Sequence, residues 1–199
     1  ARFLSGNHLF FLNLAMAGFV MATVTVRFVF PAVSAEGAAF WIIRTAPISL
    51  RDFLWSKFWT GLVPILLLTE LLTIAGNELL GVDPFLKRVS AVAIVFMSFA
   101  LVGLAAGLGA RYPRFAADNP SQVAGSYGGV AFMIVAVFYI LVMIVLIGWP
   151  SSVYLFHQVR RVPLTEAQRW MMGASFVLAA GLSVATWLLG MRTGVRALQ

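Results

Sequence analysis

The sequence predicts an all-α, polytopic transmembrane helix bundle of about five spans, with one short amphipathic helix outside the hydrocarbon core. Three observations predict it. The chain is 61% hydrophobic and only 11% charged, where soluble domains run about 25% charged. Apolar runs approaching the roughly 20 residues that a spanning helix needs recur along its length. Helix-start signals recur between those runs. A soluble domain of 199 residues can bury a good core, but it cannot hide this much apolar surface from water.

The first span is expected at about 8–30, stopping at Pro31, which lacks a backbone donor and restricts the residue before it. Ser49 and Asp52 have capping-box spacing and start the next helix. Its first turns mix Arg51, Asp52 and Lys57 with Phe53, Leu54, Trp55 and Phe58, which suits an interfacial stretch, and the second span then covers about 60–80. Pro64 is expected to kink it. Asp83-Pro84 pairs an N-cap acid with a proline at the first helical position and opens a third span at about 85–110. Asn119-Pro120 repeats that device for a fourth, about 121–149, which is expected to stop at Trp149-Pro150. Residues 151–164 are too short and too polar to cross. Thr165 with Gln168 gives a further capping box, and the fifth span covers about 167–191.

Charge and cysteine content exclude several classes. No cysteine is present, so disulfides and thiolate metal sites are ruled out. The net charge of +7 comes from basic residues scattered at helix ends, not from one basic face, so nucleic acid is not the expected partner. Membrane lipid is. With the long connection after the first span on the cytoplasmic side, that side holds Arg27, Arg44, Arg51, Lys57, Arg111, Arg114, Arg192 and Arg196. The other side holds Arg2, Lys87, Arg88, Arg160, Arg161 and Arg169, a weak lean toward this orientation. Trp55, Trp59, Trp149, Trp170 and Trp187 fall near span ends and read as lipid-facing anchors. His8 and His157 have no ligand-spaced partner, so no metal is expected.

The most informative stretch is residues 34–57. Ser34 can cap a short helix with Glu36 in its first turn, where the helix dipole favours an anion. Phe40, Trp41 and Ile43 supply apolar surface, Glu36 and Arg44 supply charge, and Pro47 ends the helix. Two readings of it stand open: a helix that only anchors the loop at the interface, and a docking element that fits a groove on a soluble partner through aromatic anchors.

This segment resembles the coupling-helix region of ABC-transporter permeases of the type-2 exporter class. The matching elements are Glu36, the Pro47-Ile48-Ser49 turn and Lys57. More narrowly, the chain is similar to a bacterial branch of ABC exporters, through R-F-V-F-P (27–31), E-G-A-A-F-W (36–41), A-P-I-S (46–49), R-Y-P-R-F (111–115) and D-N-P-S-Q (118–122). The likeness covers about half the chain, roughly 27–133. It implies the C-terminal portion of a longer permease in the bacterial inner membrane. It also implies that 34–57 is cytoplasmic and couples to a separate ATP-binding subunit, with a second permease copy or half completing the transporter. On that reading Glu36, Phe40, Trp41 and Arg44 contact the ATPase subunit, the loop from Arg111 through Arg114 to Asp118 is a second contact, and ATP is held by the partner.

Within the spans, Glu70 lies near the middle of the second, where a charged side chain costs about 2.5–3.5 kcal/mol on insertion scales. It is expected to face other helices or a polar cavity, as a pathway residue or as a hydrogen-bond anchor to a neighbour such as Asn13 or Ser98. Asn77 and Glu78 are expected at the outer interface. Gly103 and Gly107 form a small-xxx-small pair for close helix approach, and Gly128 lies in a second glycine group. No Gly-x-x-x-x-Gly-Lys-Ser/Thr loop, Gly-x-Ser-x-Gly, His-Glu-x-x-His or intramembrane Asp pair occurs, so the chain is expected not to be an enzyme. Three functions compete: a permease of an ATP-driven exporter, a non-transporting membrane scaffold or assembly factor, and an intramembrane enzyme, for which Glu70 offers too few polar partners.

Overall fold

The computed structural model describes residues 2–117 and 119–199, with side chains from residue 9 onward except Ala38. His8 and Asp118 therefore lie outside the described side chains. Every regular element among the described residues is helical: α1 (Arg2–Phe28), α2 (Phe40–Thr45), α3 (Leu50–Leu79), α4 (Pro84–Arg111), α5 (Pro120–Ala124), α6 (Tyr127–Arg160) and α7 (Glu166–Leu198), with two 3-10 turns between α1 and α2. Five helices are long and apolar enough to cross a membrane. This is a multi-pass membrane protein.

Most start signals do what their chemistry requires. Ser49 Oγ accepts the Asp52 N–H at 3.0 Å and donates to the Asp52 carboxylate at 2.6 Å, opening α3. Asp83 accepts the Phe85 N–H at 2.8 Å ahead of Pro84. At α7 both halves of the capping box form: Gln168 N–H donates to Thr165 Oγ1, and Gln168 Oε1 accepts the Thr165 N–H. Pro31 follows the end of α1 and lies inside a buried 3-10 turn.

The fourth span departs from expectation at both ends. Asn119-Pro120 opens only the five-residue α5, and Ser126 caps the long helix that begins at Tyr127. That helix does not stop at Pro150 but continues through residues 151–160 to Arg161, whose left-handed φ of 54° ends it. Proline at 150 cannot donate to the Leu146 carbonyl four residues earlier. The Ser175 hydroxyl on α7 takes that carbonyl instead, at 2.6 Å. A neighbouring hydroxyl thus satisfies the freed acceptor, which is how prolines survive in lipid. α7 likewise extends past residue 191 to Leu198. At 34 residues, α6 is about 51 Å long against a hydrocarbon core of about 30 Å, so it tilts or projects beyond it.

α4 is the hub, packed against α1, α3, α6 and α7. About two thirds of its most apolar window is buried, against 17% for α7 at the periphery. The α4–α7 seam is the closest. A Cβ on Gly107 would run into the Gly190 carbonyl oxygen, and one on Gly194 would come 2.7 Å from the Gly107 Cα. The 103/107 pair is therefore met by a second pair, 190/194, on the facing helix. Gly128 receives Tyr112, whose Cβ would lie 2.7 Å from an added methyl. Outward-facing side chains such as Leu71, Phe138 and Val177 remain exposed, as a lipid-facing surface requires.

Polar side chains knit the bundle at two levels. Asn13 donates to Asn77 at 3.0 Å, and Asn77 donates to Ser90 at 2.7 Å. Asn77 is thus buried at 2% exposure, not at the interface as expected, because α1 and α4 both supply it with partners. Glu78, beside it, is exposed and pairs with Lys87 at 2.7 Å. Tyr139 and Ser183 join α6 to α7 at 2.7 Å. Near the loop preceding α4, Gln158 donates to Asp83 at 3.1 Å. Trp55 and Trp187 also differ from the lipid-facing expectation. They pack edge to face at 5.9 Å in an aromatic cluster with Phe58 and Phe99, while Trp149 and Trp170 are exposed.

Candidate functional site

The segment between α1 and α3 folds back onto the bundle. Ser34 does not cap the short helix. Its hydroxyl oxygen accepts the Arg114 N–H at 3.0 Å, which ties this segment to the loop after α4. The expected single helix of about ten residues is broken at Gly37, whose φ of 53° is left-handed. Only glycine adopts that conformation freely. A 3-10 turn over Ser34–Ala39 therefore precedes α2, which is six residues long.

Three contacts fix the segment. The Glu36 carboxylate pairs with the Lys57 ammonium on α3, across 21 residues of sequence. Phe40 stacks on Phe115 at 4.7 Å and meets Phe53 at 6.1 Å. Lys57 also lies over the Phe53 ring at 5.4 Å, a cation–π geometry. Residues 34–49, the first turns of α3 and residues 112–117 thus make one connected face.

The sequence-selected residues divide between two jobs on this face. Glu36 and Phe40 are half-buried and turned toward α3 and Phe115, so they hold α2 in place. Trp41 (64% exposed) and Arg44 face outward. Ile42 and Ile48, at 52% and 54% exposure, join them, although the sequence reading did not select them. An isolated isoleucine carries no periodic signal in so short a helix. Arg111 lies over Tyr112 at 5.7 Å, and both it and Arg114 are exposed beside this face. Exposed Arg44, Arg111 and Arg114 thus accompany exposed aromatic and aliphatic side chains, a composition that protein interfaces favour. Held at three points, the patch is tied to α3 and to the loop after α4 together.

Glu70 stands apart from this face. It is half-buried on α3 beside exposed Leu67 and Leu71 and makes no hydrogen bond or ion pair among the described residues. Neither suggested partner reaches it: Asn13 is committed to Asn77, and the buried Ser98 hydroxyl is unpaired.

The chain has no P-loop sequence, and its described residues form no strand from which such a loop could spring. No curated protein and no solved structure matches it. A family model does, across residues 4–199, and the family is described as an ATP-binding cassette, not as a permease. With a match over nearly its whole length, this chain belongs to the ABC-transporter-related family described as "Putative ATP-binding cassette".

Proposed function

We propose that this protein is the membrane-spanning permease subunit of an ATP-driven ABC exporter in the bacterial inner membrane. The observation that carries the reading is the face built by residues 34–57. The segment is clamped to α3 by Glu36–Lys57 and Phe40–Phe53 and to the loop after α4 by Phe40–Phe115, and it presents Trp41, Ile42, Arg44 and Ile48 outward. Membership in an ABC-related family supplies the kind of partner. The absence of a P-loop from this sequence supports a reading in which a separate ATP-binding subunit carries out the nucleotide chemistry. The chain itself catalyses no covalent step, and a second permease copy or half completes the pathway.

In this mechanism the ATP-binding subunit grips the exposed patch. Because α2 is fixed to both α3 and the loop after α4, movement of the partner displaces α3 and that loop as a unit. ATP shifts the equilibrium between two arrangements only through its different contacts with each.

A cysteine at exposed Ala39 tests this in the full-length protein expressed with its genomic neighbours; these 199 residues contain no other cysteine, and any outside them is first replaced by serine. The expected result is a cross-linked product containing an ATP-binding subunit, with a yield that changes on adding ATP. A cytoplasmic Ala39→Cys that captures no ATPase would favour a scaffold. Labelling only from outside the cell would defeat the transporter reading and its orientation together.

A further inference from the structure

Three arginines from two helices converge on one cleft that the proposed docking mechanism does not use. Arg51 comes from the first turn of α3, and Arg192 and Arg196 from the last turns of α7. The cleft has a volume of about 480 Å³ and an otherwise mostly apolar lining that includes Trp55, Leu188 and Val195. Its geometry is fixed from below. Gly194 seats α7 against the Gly107 backbone and Leu54 of α3, so the last turns of α7 cannot drift from the first turn of α3.

No acidic side chain among the described residues pairs with this charge. None of the three arginines has an ion-pair or hydrogen-bond partner among the described residues, where the ion pairs are Lys57–Glu36, Lys87–Glu78 and Arg169–Glu166. Asp52, the nearest acid in sequence, is turned to the Ser49 hydroxyl. Arg192 and Arg196 are four residues apart on one helix, a spacing at which like charges repel. Ordinary topology-setting arginines spread over a loop have no reason to gather around a shared apolar floor.

We propose that this cleft binds the headgroup of an anionic phospholipid. The phosphate sits among Arg51, Arg192 and Arg196, where guanidinium groups give paired hydrogen bonds to phosphate oxygens. Trp55 lies at the interfacial level that indole rings favour. The acyl chain runs down α7 over Leu188 and the exposed Val184. Lipid is the source the cleft favours over a free anion because its lining is mostly apolar and the exposed Leu188 and Val184 continue along α7 from it. The proposal does not depend on the permease reading. It requires only that α3 and α7 cross the membrane.

The test is native mass spectrometry of the detergent-solubilised full chain, titrated with phosphatidylglycerol or with phosphatidylcholine of the same acyl chains. The wild type is expected to retain phosphatidylglycerol preferentially. R51Q/R192Q/R196Q should weaken that binding by roughly a hundredfold, at about fivefold for each basic residue near an anionic headgroup. R160Q, in the last turn of α6, should leave it unchanged. If the triple variant fails to insert, R196Q alone should show the fivefold loss, while R196K keeps most of the affinity. Equal retention of the two lipids, or an equal loss in R160Q, would overturn the proposal. Full displacement by inorganic phosphate at concentrations matching the lipid would also overturn it, by showing a site for free anions.

Discussion

Glu36 and Lys57 stand 21 residues apart, and each is an unremarkable surface charge until the chain folds. Paired, they lock the start of the docking segment to α3, and partial burial shields the pair from the full screening that weakens exposed ion pairs. Glu36→Lys sets two ammonium groups against each other. It should lower cross-linking of Ala39→Cys to the ATP-binding subunit several-fold while leaving membrane insertion intact, as read by labelling and yield in the membrane fraction. The charge swap Glu36→Lys/Lys57→Glu should recover most of the loss. Failure of the swap would mean that Glu36 acts on the partner directly and not through Lys57. At this scale the sequence was informative about residue type and poor about direction. It selected Glu36, Phe40, Trp41 and Arg44 as one set, whereas the fold half-buries the first two and exposes the last two, with Gly37 turning the chain between Glu36 and α2. A left-handed glycine rotates everything after it, and no periodicity argument on a six-residue helix detects that.

Among the elements, α6 and α7 show how one hydroxyl changes the reading of a proline. Ser175 accounts for the passage of α6 through Pro150, so Ser175→Ala leaves the Leu146 carbonyl without its donor. The expected cost is about 1–2 kcal/mol, seen as a lowered midpoint in thermal unfolding in detergent, with local opening of residues 147–160 in hydrogen exchange. The α4–α7 seam gives a second contrast. Gly107→Val should destabilise by about 1–3 kcal/mol through overpacking against the Gly190 backbone. Gly173→Ala, on the same α7 but facing open space, should stabilise by about 1 kcal/mol because alanine is the better helix former. Similar effects from both substitutions would show that the seam is not the tight contact described. The helix starts at Ser49, Asp83 and Thr165 were legible because a cap is a local bargain between neighbours in sequence. The stop at Pro150 was misread because its remedy lies on another helix.

As a whole molecule, the bundle places three crossings, α3, α4 and α6, between the loop after α1 and the loop between α6 and α7, so those two loops must open on opposite sides of the membrane. Single cysteines at Ala39 and Val162, both exposed, should react with a membrane-impermeant maleimide from opposite faces. Ala39→Cys should be protected in intact cells and Val162→Cys labelled. Labelling of both from one face would break the five-span topology. The half-buried, unpaired Glu70 belongs to this scale too. A carboxyl in mid-span that makes no ion pair or hydrogen bond among the described residues is costly in hydrocarbon, so Glu70→Gln is expected to leave membrane insertion intact, as read by yield in the membrane fraction.

Sequence by itself determined that this chain lives in lipid, that it crosses about five times, and where most crossings begin. Those properties depend on apolar length and on caps formed between near neighbours, so they can be read along one strand of text. Only the tertiary structure decided that Asn77 is buried between Asn13 and Ser90, that α7 carries its own glycine pair against α4, and that Arg51 meets Arg192 and Arg196. Each of these joins residues far apart in the chain. The energy of such contacts comes from packing and from polar pairing away from water, which the order of residues encodes but does not display.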